Sequence, residues 1–284
     1  MLEADLGTFG AEAQSHRAPQ GHRDQGDKRV KITAVYNLKG GVGKTAASVN
    51  LAYLSALSGR RTLIWDLDPQ GAATFYFRIK PKVTGGRKKL LKGKRNPLEA
   101  HIRGTDFDRL DLMPADFSYR KMDVALDDVK KSRRWMSDVL ASVASDYDVV
   151  FLDCAPSIST TSDSVFHAAD ALLVPLIPTT LSMRTLDQLR EHLAKEGLDE
   201  LAVWPFFSMV DRRKKMHRDF MADVSSDEAY FKSVIPNASQ VERMGIERNP
   251  VPVFAGGTLA AKSYLNLWGE VEERFGFLDP LGGS

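Results

Sequence analysis

The run Lys39-Gly40-Gly41-Val42-Gly43-Lys44-Thr45 constrains this chain more than any other stretch of its 284 residues. It follows a short β-prone segment (Val30, Ile32, Ala34, Val35) and opens onto a helix-forming stretch over 44–58, which Gly59 terminates as a C-cap glycine. Strand, glycine cluster and helix in that order make a loop whose backbone N–H groups turn toward an anion at the positive end of a helix. The usual spacing G-x-x-x-x-G-K-[ST] needs glycine at position 38, where leucine stands. A variant headed by Lys39 keeps the chemistry: Lys44 reaches the β- and γ-phosphates of a nucleotide, and the Thr45 hydroxyl ligates Mg²⁺. Taken alone the run is no more than a turn. The strand before it, the helix after it and Lys-Thr at the hinge make it a nucleotide site.

Apolar, β-prone runs recur at 61–66, 110–113, 147–153, 171–176 and 203–209, most of them separated by helix-length segments. Strands alternating with helices give βαβ units. The expected fold is therefore α/β, a doubly wound, mainly parallel sheet flanked by helices, of the P-loop NTPase kind, with its ligand at the carboxyl ends of the strands. Two of those strand ends are acidic. Asp66 and Asp68, two apart, project to one side at the end of the second strand, and Asp153 closes the apolar run 149–152. Carboxylates there can hold Mg²⁺ or the water that attacks a phosphate; the alternative for each is a cap on the helix that follows. A last amphipathic helix over 259–275, with Leu259, Tyr264, Leu267 and Val271 at helical intervals, is expected to dock on the sheet.

Residues 1–28 hold few large apolar residues and no periodicity, which reads as a flexible tail ahead of a single ATPase domain over 29–284. With one cysteine, Cys154, no intrachain disulfide and no Cys-rich metal cluster can form within the chain, so the cytoplasm is the expected compartment. No run approaches the roughly 18 apolar residues that span a bilayer, and no apolar secretory core stands at the N-terminus; neither insertion nor export is expected. A formal charge of +2 is too small to attract nucleic acid as a whole. Attraction must come from clusters: Arg212, Arg213, Lys214 and Lys215 with Arg218, and the Lys- and Arg-rich stretch 80–103, expected as an exposed loop or loose helix. Either could be only a solvated charge run.

The sequence resembles the ParA/MinD group of deviant Walker ATPases. The resemblance is carried by the 39–45 run, Asp66-Leu67-Asp68-Pro69-Gln70-Gly71, Asp153-Cys154-Ala155-Pro156-Ser157 and Val174-Pro175-Leu176-Ile177-Pro178, with looser likeness at 182–186 and at Val234-Ile235-Pro236. It implies a homodimer that sandwiches ATP and Mg²⁺, with nucleotide contacts from Gly40, Gly41, Val42, Gly43, Lys44, Thr45, Ala46 and Pro236. It also implies catalytic roles for three residues: Lys44, Lys39 reaching across to the partner's phosphates, and Asp68 positioning the attacking water. Thr45 would ligate the metal, with Asp68 and Asp153 acting through water and Asp66 in support. Segments 68–74 and 153–158 would be switches that report the γ-phosphate.

Branches of that group use one switch on different surfaces. Residues 275–284 carry no Lys or Arg, so a basic amphipathic membrane anchor is not expected there. One cysteine cannot hold the iron–sulfur cluster of the nitrogenase iron-protein branch. Resemblance to ParA implies a nucleoid-associated ATPase that binds double-stranded DNA nonspecifically as an ATP dimer. It would partition DNA or another cargo and be released when a ParB-like or cargo-adaptor partner stimulates hydrolysis. Two alternatives share part of the pattern: a septum- or organelle-positioning ATPase without DNA, and an ATP-dependent small-molecule synthetase, against which Lys39 argues.

Overall fold

A computed structural model describes residues 29–83, 85–86, 90–91, 98–127, 129 and 132–277. Seven strands form one sheet: β1 (Lys31–Val35), β2 (Thr62–Asp66), β3 (Arg103–Gly104), β4 (Leu110–Met113), β5 (Val149–Asp153), β6 (Ala171–Leu176) and β7 (Ala202–Phe207). Their order is β3-β4-β2-β5-β1-β6-β7. Every neighbouring pair is parallel except β3 with β4, which is antiparallel. Because β5 lies between β1 and β2, the chain leaves β1 toward one edge and leaves β5 toward the other. That reversal opens a crevice at the carboxyl ends of the central strands.

Period-2 alternation divides the central strands between two cores. Val35, Ile64, Val149, Phe151 and Leu173 face one side, where the helices Lys44–Leu57 and Leu259–Arg274 cover them. Ala34, Leu63, Trp65, Val150, Leu152 and Leu172 face the other, covered by the helices Met122–Asp127, Trp135–Leu140, Thr160–Ala168 and Thr180–Lys195. Strands buried on both faces must be apolar throughout, which explains runs such as VVFLD. The expected stop at Gly59 is present: its φ is 92°, and the Arg60 N–H donates back to the Ser55 carbonyl at 3.2 Å.

Three expectations are corrected. On the last helix Tyr264, Leu267 and Val271 are buried, but Leu259 is 66% exposed; the docking face runs instead through Ala260, Ala261, Tyr264, Leu267 and Trp268. In the basic stretch 80–103, Val83, Leu90 and Leu98 are buried in the core, and the Val83 N–H donates to Asp116 at 2.9 Å. That stretch is therefore pinned by its apolar residues, with Lys80, Lys82 and Arg103 exposed; Arg87, Lys88, Lys89, Lys92, Lys94 and Arg95 lie outside the described residues. The run 203–209 ends as a strand at Phe207, because Met209 adopts a left-handed φ of 54° and turns the chain toward Pro236. Residues 1–28 and 278–284 also lie outside the described residues.

Candidate active site

Register brings three strand ends to one level: Val35 pairs with Asp153 and Asp153 with Asp66. The loop leaving β1 is organised by Asn37, whose amide donates to the Pro175 carbonyl at 2.8 Å and whose Oδ1 accepts the Lys39 N–H at 2.8 Å. Gly41 and Gly43 take φ values of 71° and 92°. At Gly43 a side chain is excluded twice over, since an added Cβ would lie 2.8 Å from the Ser208 hydroxyl at the end of β7. The helix Lys44–Leu57 begins with no side-chain cap and no acid in its first turn, so its N-terminal N–H groups stay available to an anion.

Lys44 is buried, and its Nζ donates to the carbonyls of Asn37 at 3.2 Å and Lys39 at 3.0 Å. Burial holds its ammonium below the usual lysine range, opposed by the nearby carboxylate of Asp153. The Lys39 side chain is half-buried, and Gly40 lies against Pro156. Thr45 and Ala46, both half-buried, complete the first turn.

The three acids take different roles. Asp66 is wholly buried: Oδ2 accepts the Thr74 N–H at 2.8 Å and its hydroxyl at 2.7 Å, while Oδ1 accepts the Asp68 N–H at 3.3 Å. Asp66 is not the N-cap of the helix Ala72–Tyr76, which is Gly71, but its carboxylate accepts from Thr74 in that helix's first turn. Burial pushes the Asp66 carboxyl up to about 6. Asp68 is half-buried, and its Oδ1 accepts the Gln70 N–H at 2.9 Å. Asp153 is 1% exposed; its Oδ1 accepts the Ser48 hydroxyl at 2.9 Å, whereas its Oδ2 is buried with no partner. Burial, followed by the charge of Asp66, pushes Asp153 up to about 8, and the neighbouring Ser48 and Thr45 side chains oppose that rise.

That arrangement fits Mg²⁺ held together with a nucleotide. Among the described residues no group of three or more His, Cys, Asp or Glu could hold a metal by itself. Mg²⁺ keeps several waters and takes one or two carboxylates plus phosphate oxygens rather than an all-protein cage. An unpartnered buried carboxylate oxygen beside the Thr45 hydroxyl offers such a ligand set one anchor, and as an orphan it carries a desolvation cost that a hydrated cation relieves.

Neighbouring segments close around the loop. The Tyr36 hydroxyl donates to the Ser157 carbonyl at 2.9 Å, and the Leu67 N–H donates to the Asp153 carbonyl at 3.0 Å, tying 153–157 to the ends of β1 and β2. Past Ser208, Val210 bridges in parallel to Pro236, which sets Pro236 on the same edge of the sheet. The basic run follows. The Asp211 N–H donates to Nδ1 of buried His217 at 3.1 Å, fixing the turn. Arg213 pairs with Asp211 at 2.9 Å, Lys215 with Asp219 at 2.8 Å, and Arg218 donates to the carbonyls of Arg212 and Arg213. Arg212 and Lys214 are exposed. Arg213, Lys215 and Arg218 thus have partners within the segment yet stay exposed like the other two.

Asn37, Ser48, Thr74 and Ser208 are site residues that sequence reasoning missed. Only Ser48 carried a usable signal: a polar residue one turn beyond Lys44 and Thr45 lies on their helix face.

A protein family described as an AAA domain matches residues 30–198. The chromosome partitioning protein ParA of Myxococcus xanthus is 29% identical over 253 residues, covering 86% of this chain and 88% of its own. A putative plasmid partition protein of Borrelia burgdorferi B31, solved bound to AMPPNP, shares the fold with a TM-score of 0.74 at 21% identity, over 87% of this chain and 100% of that one. Cobyrinic acid a,c-diamide synthase of Mycobacterium smegmatis, solved with a bound ATP analogue and magnesium, is similar at 25% identity with a TM-score of 0.72, over 87% of this chain and 95% of that one.

Proposed function

Because the chain belongs to the AAA-domain family and, within it, to the ParA branch of the ParA/MinD group of deviant Walker ATPases, we propose that it is a nucleoid-associated switch. As an ATP-bound homodimer it binds double-stranded DNA nonspecifically, and it lets go when a ParB-like or cargo-adaptor protein stimulates hydrolysis. The chain is a partition or positioning ATPase that uses ATP with Mg²⁺. Mg²⁺, when bound, would supply positive charge that offsets the charge developing on the transferred phosphoryl group. Gly40 to Ala46 cradle the phosphates, Lys44 contacts them, Thr45 and Asp153 hold the metal side, Asp68 orients water, Asp66 supports the segment 68–74, and Pro236 lines the base side.

The observation that carries the DNA reading is the position of the basic loop. Ser208 lies against Gly43, and four residues later Arg212 begins the exposed charge, so the phosphate loop and the basic surface share the carboxyl end of the sheet. Two protomers double the phosphates touched, which lets ATP-driven dimerisation switch on a surface too weak alone. A synthetase reading draws on the likeness to cobyrinic acid a,c-diamide synthase; Lys39, suited to a partner's phosphates, speaks against it.

Retention on random-sequence duplex, compared with ATP, ADP and no nucleotide at low salt, tests the reading. ATP should raise retention, and R212E/R213E should lower the slope of log affinity against log salt by about 2 per protomer. Arg212 should contribute more, since Arg213 must first leave Asp211. No gain with ATP removes the DNA reading, and an unchanged slope moves the DNA surface elsewhere.

Lys39→Ala tests the sandwich separately. Its side chain has no role in fixing Lys44, which bonds only the backbone carbonyl of Lys39. ATP binding should therefore persist while ATP-dependent dimerisation, read by light scattering, weakens at least tenfold. Wild-type dimerisation in that variant rejects the cross-subunit role.

A further inference from the structure

Ser48 is fully buried in the helix Lys44–Leu57, and its hydroxyl lies within reach of two acceptors: the Lys44 carbonyl at 3.1 Å and Asp153 Oδ1 at 2.9 Å. A serine hydroxyl has one proton to donate. Bonding back to the carbonyl four residues earlier is the ordinary behaviour of a helical serine, yet that carbonyl already sits in the helix ladder, and a carboxylate is the stronger acceptor. The carboxyl it meets is 105 residues away, at the end of a neighbouring strand, and the other oxygen of that carboxyl is buried with no partner. Were the contact only a way to satisfy a buried acid, both oxygens would be satisfied. One is pinned and the other is left without a partner.

We propose that Ser48 is a positioning residue for the metal-side carboxylate: by holding Oδ1 of Asp153, it aims Oδ2 at the water shell of nucleotide-bound Mg²⁺. The inference rests on the reading of Asp153 as that carboxylate. Thr45 is also near Asp153, but its hydroxyl would be a metal ligand in the same reading. Ser48 is then the donor that stays.

The test titrates Mg²⁺ onto the full chain at fixed fluorescent ADP, with ADP affinity in chelator as a second readout, for wild type, S48A, S48C and D153N. S48C keeps the volume but donates weakly, so the test survives if S48A folds poorly. Loss of a hydrogen bond that orients a metal-binding group should raise the Mg²⁺ midpoint about tenfold or more in S48A and S48C, with metal-free ADP affinity within about twofold of wild type by the same reasoning. If D153N shifts the midpoint and neither Ser48 variant does, the inference is overturned. It is also overturned if metal-free affinity falls as much as metal-bound affinity, since the serine then only supports the helix. If D153N itself leaves the midpoint unmoved, the assignment of Asp153 fails, and the inference fails with it.

Discussion

With alanine at position 44 the chain should lose ATP affinity by roughly 10²–10³-fold, about 3–4 kcal/mol, the size expected for charge-assisted bonds from a single ammonium to phosphate oxygens. The structure explains why the loss should be this large and this selective. Without nucleotide, Nζ is already buried and already aimed, held by the carbonyls of Asn37 and Lys39. Its desolvation is therefore part of the folded state, and the phosphate meets a cation stripped of competing water. Removing the side chain relieves that burial while leaving two carbonyls without their donor, opposing effects on stability that roughly cancel, each about 1–2 kcal/mol. The ligand-free variant should thus melt close to wild type, whereas the stabilisation that wild type gains at a hundredfold excess of ATP over Kd, about 2.7 kcal/mol, should vanish. Calorimetric titration with a non-hydrolysable analogue and Mg²⁺ reads the first effect, and thermal unfolding with and without analogue reads the second. Lys44→Arg should not rescue binding, because a planar fork cannot take the place of a compact ammonium between two carbonyls. Affinity within threefold of wild type in the alanine variant would remove Lys44 from the phosphates.

What could be read from the sequence, and what could not, divides along the range of the interactions. The phosphate loop is local chemistry: glycines where φ must be positive, a lysine and a threonine at the start of a helix, a β-prone run before them. All of that lies within the sixteen consecutive residues 30–45, and the structure has Gly41, Gly43 and Lys44 in the conformations this requires. Asp66 and Asp153 were legible as acidic strand ends, but the difference between them was not. It depends on Thr74, which satisfies Asp66, and on Ser48, which satisfies only half of Asp153. Asn37 and Ser208 shape the loop through contacts to Pro175 and Gly43, far away in sequence, and no window of the chain contains both partners. Leu259 illustrates a narrower failure. Apolar spacing gave the last helix its type and bounds, but a residue at the very start of a helix can fit a stripe by count and still lie off it; Leu259 is five positions from Tyr264, about 140° around the axis. The two-residue β3 is shorter than any periodicity can register.

The three acids should separate in function as they do in geometry, and Asp68→Ala is the sharpest case. Asp66 has both oxygens engaged by protein donors, and Asp153 has one pinned and one buried without a partner. Asp68 alone is half-buried, with Oδ1 bonded only to the Gln70 N–H of its own turn, so it can reach a water at the γ-phosphate without first breaking the core. Orienting and deprotonating an attacking water contributes about 10²–10⁴-fold, and D68A should lower turnover by that range while leaving ATP affinity within a fewfold of wild type. Binding without hydrolysis should leave the ATP form persistent: the variant should stay dimeric on gel filtration after ATP addition, for as long as the nucleotide remains intact. Adding the Lys39 substitution on top should abolish that persistence if, as proposed, the neighbour's ammonium rather than the turnover defect holds the sandwich together. The two measurements test different steps. Undiminished turnover in D68A would transfer the water to another group, whereas slow turnover without a lasting dimer would keep Asp68 in catalysis and break the link between the bound triphosphate and assembly.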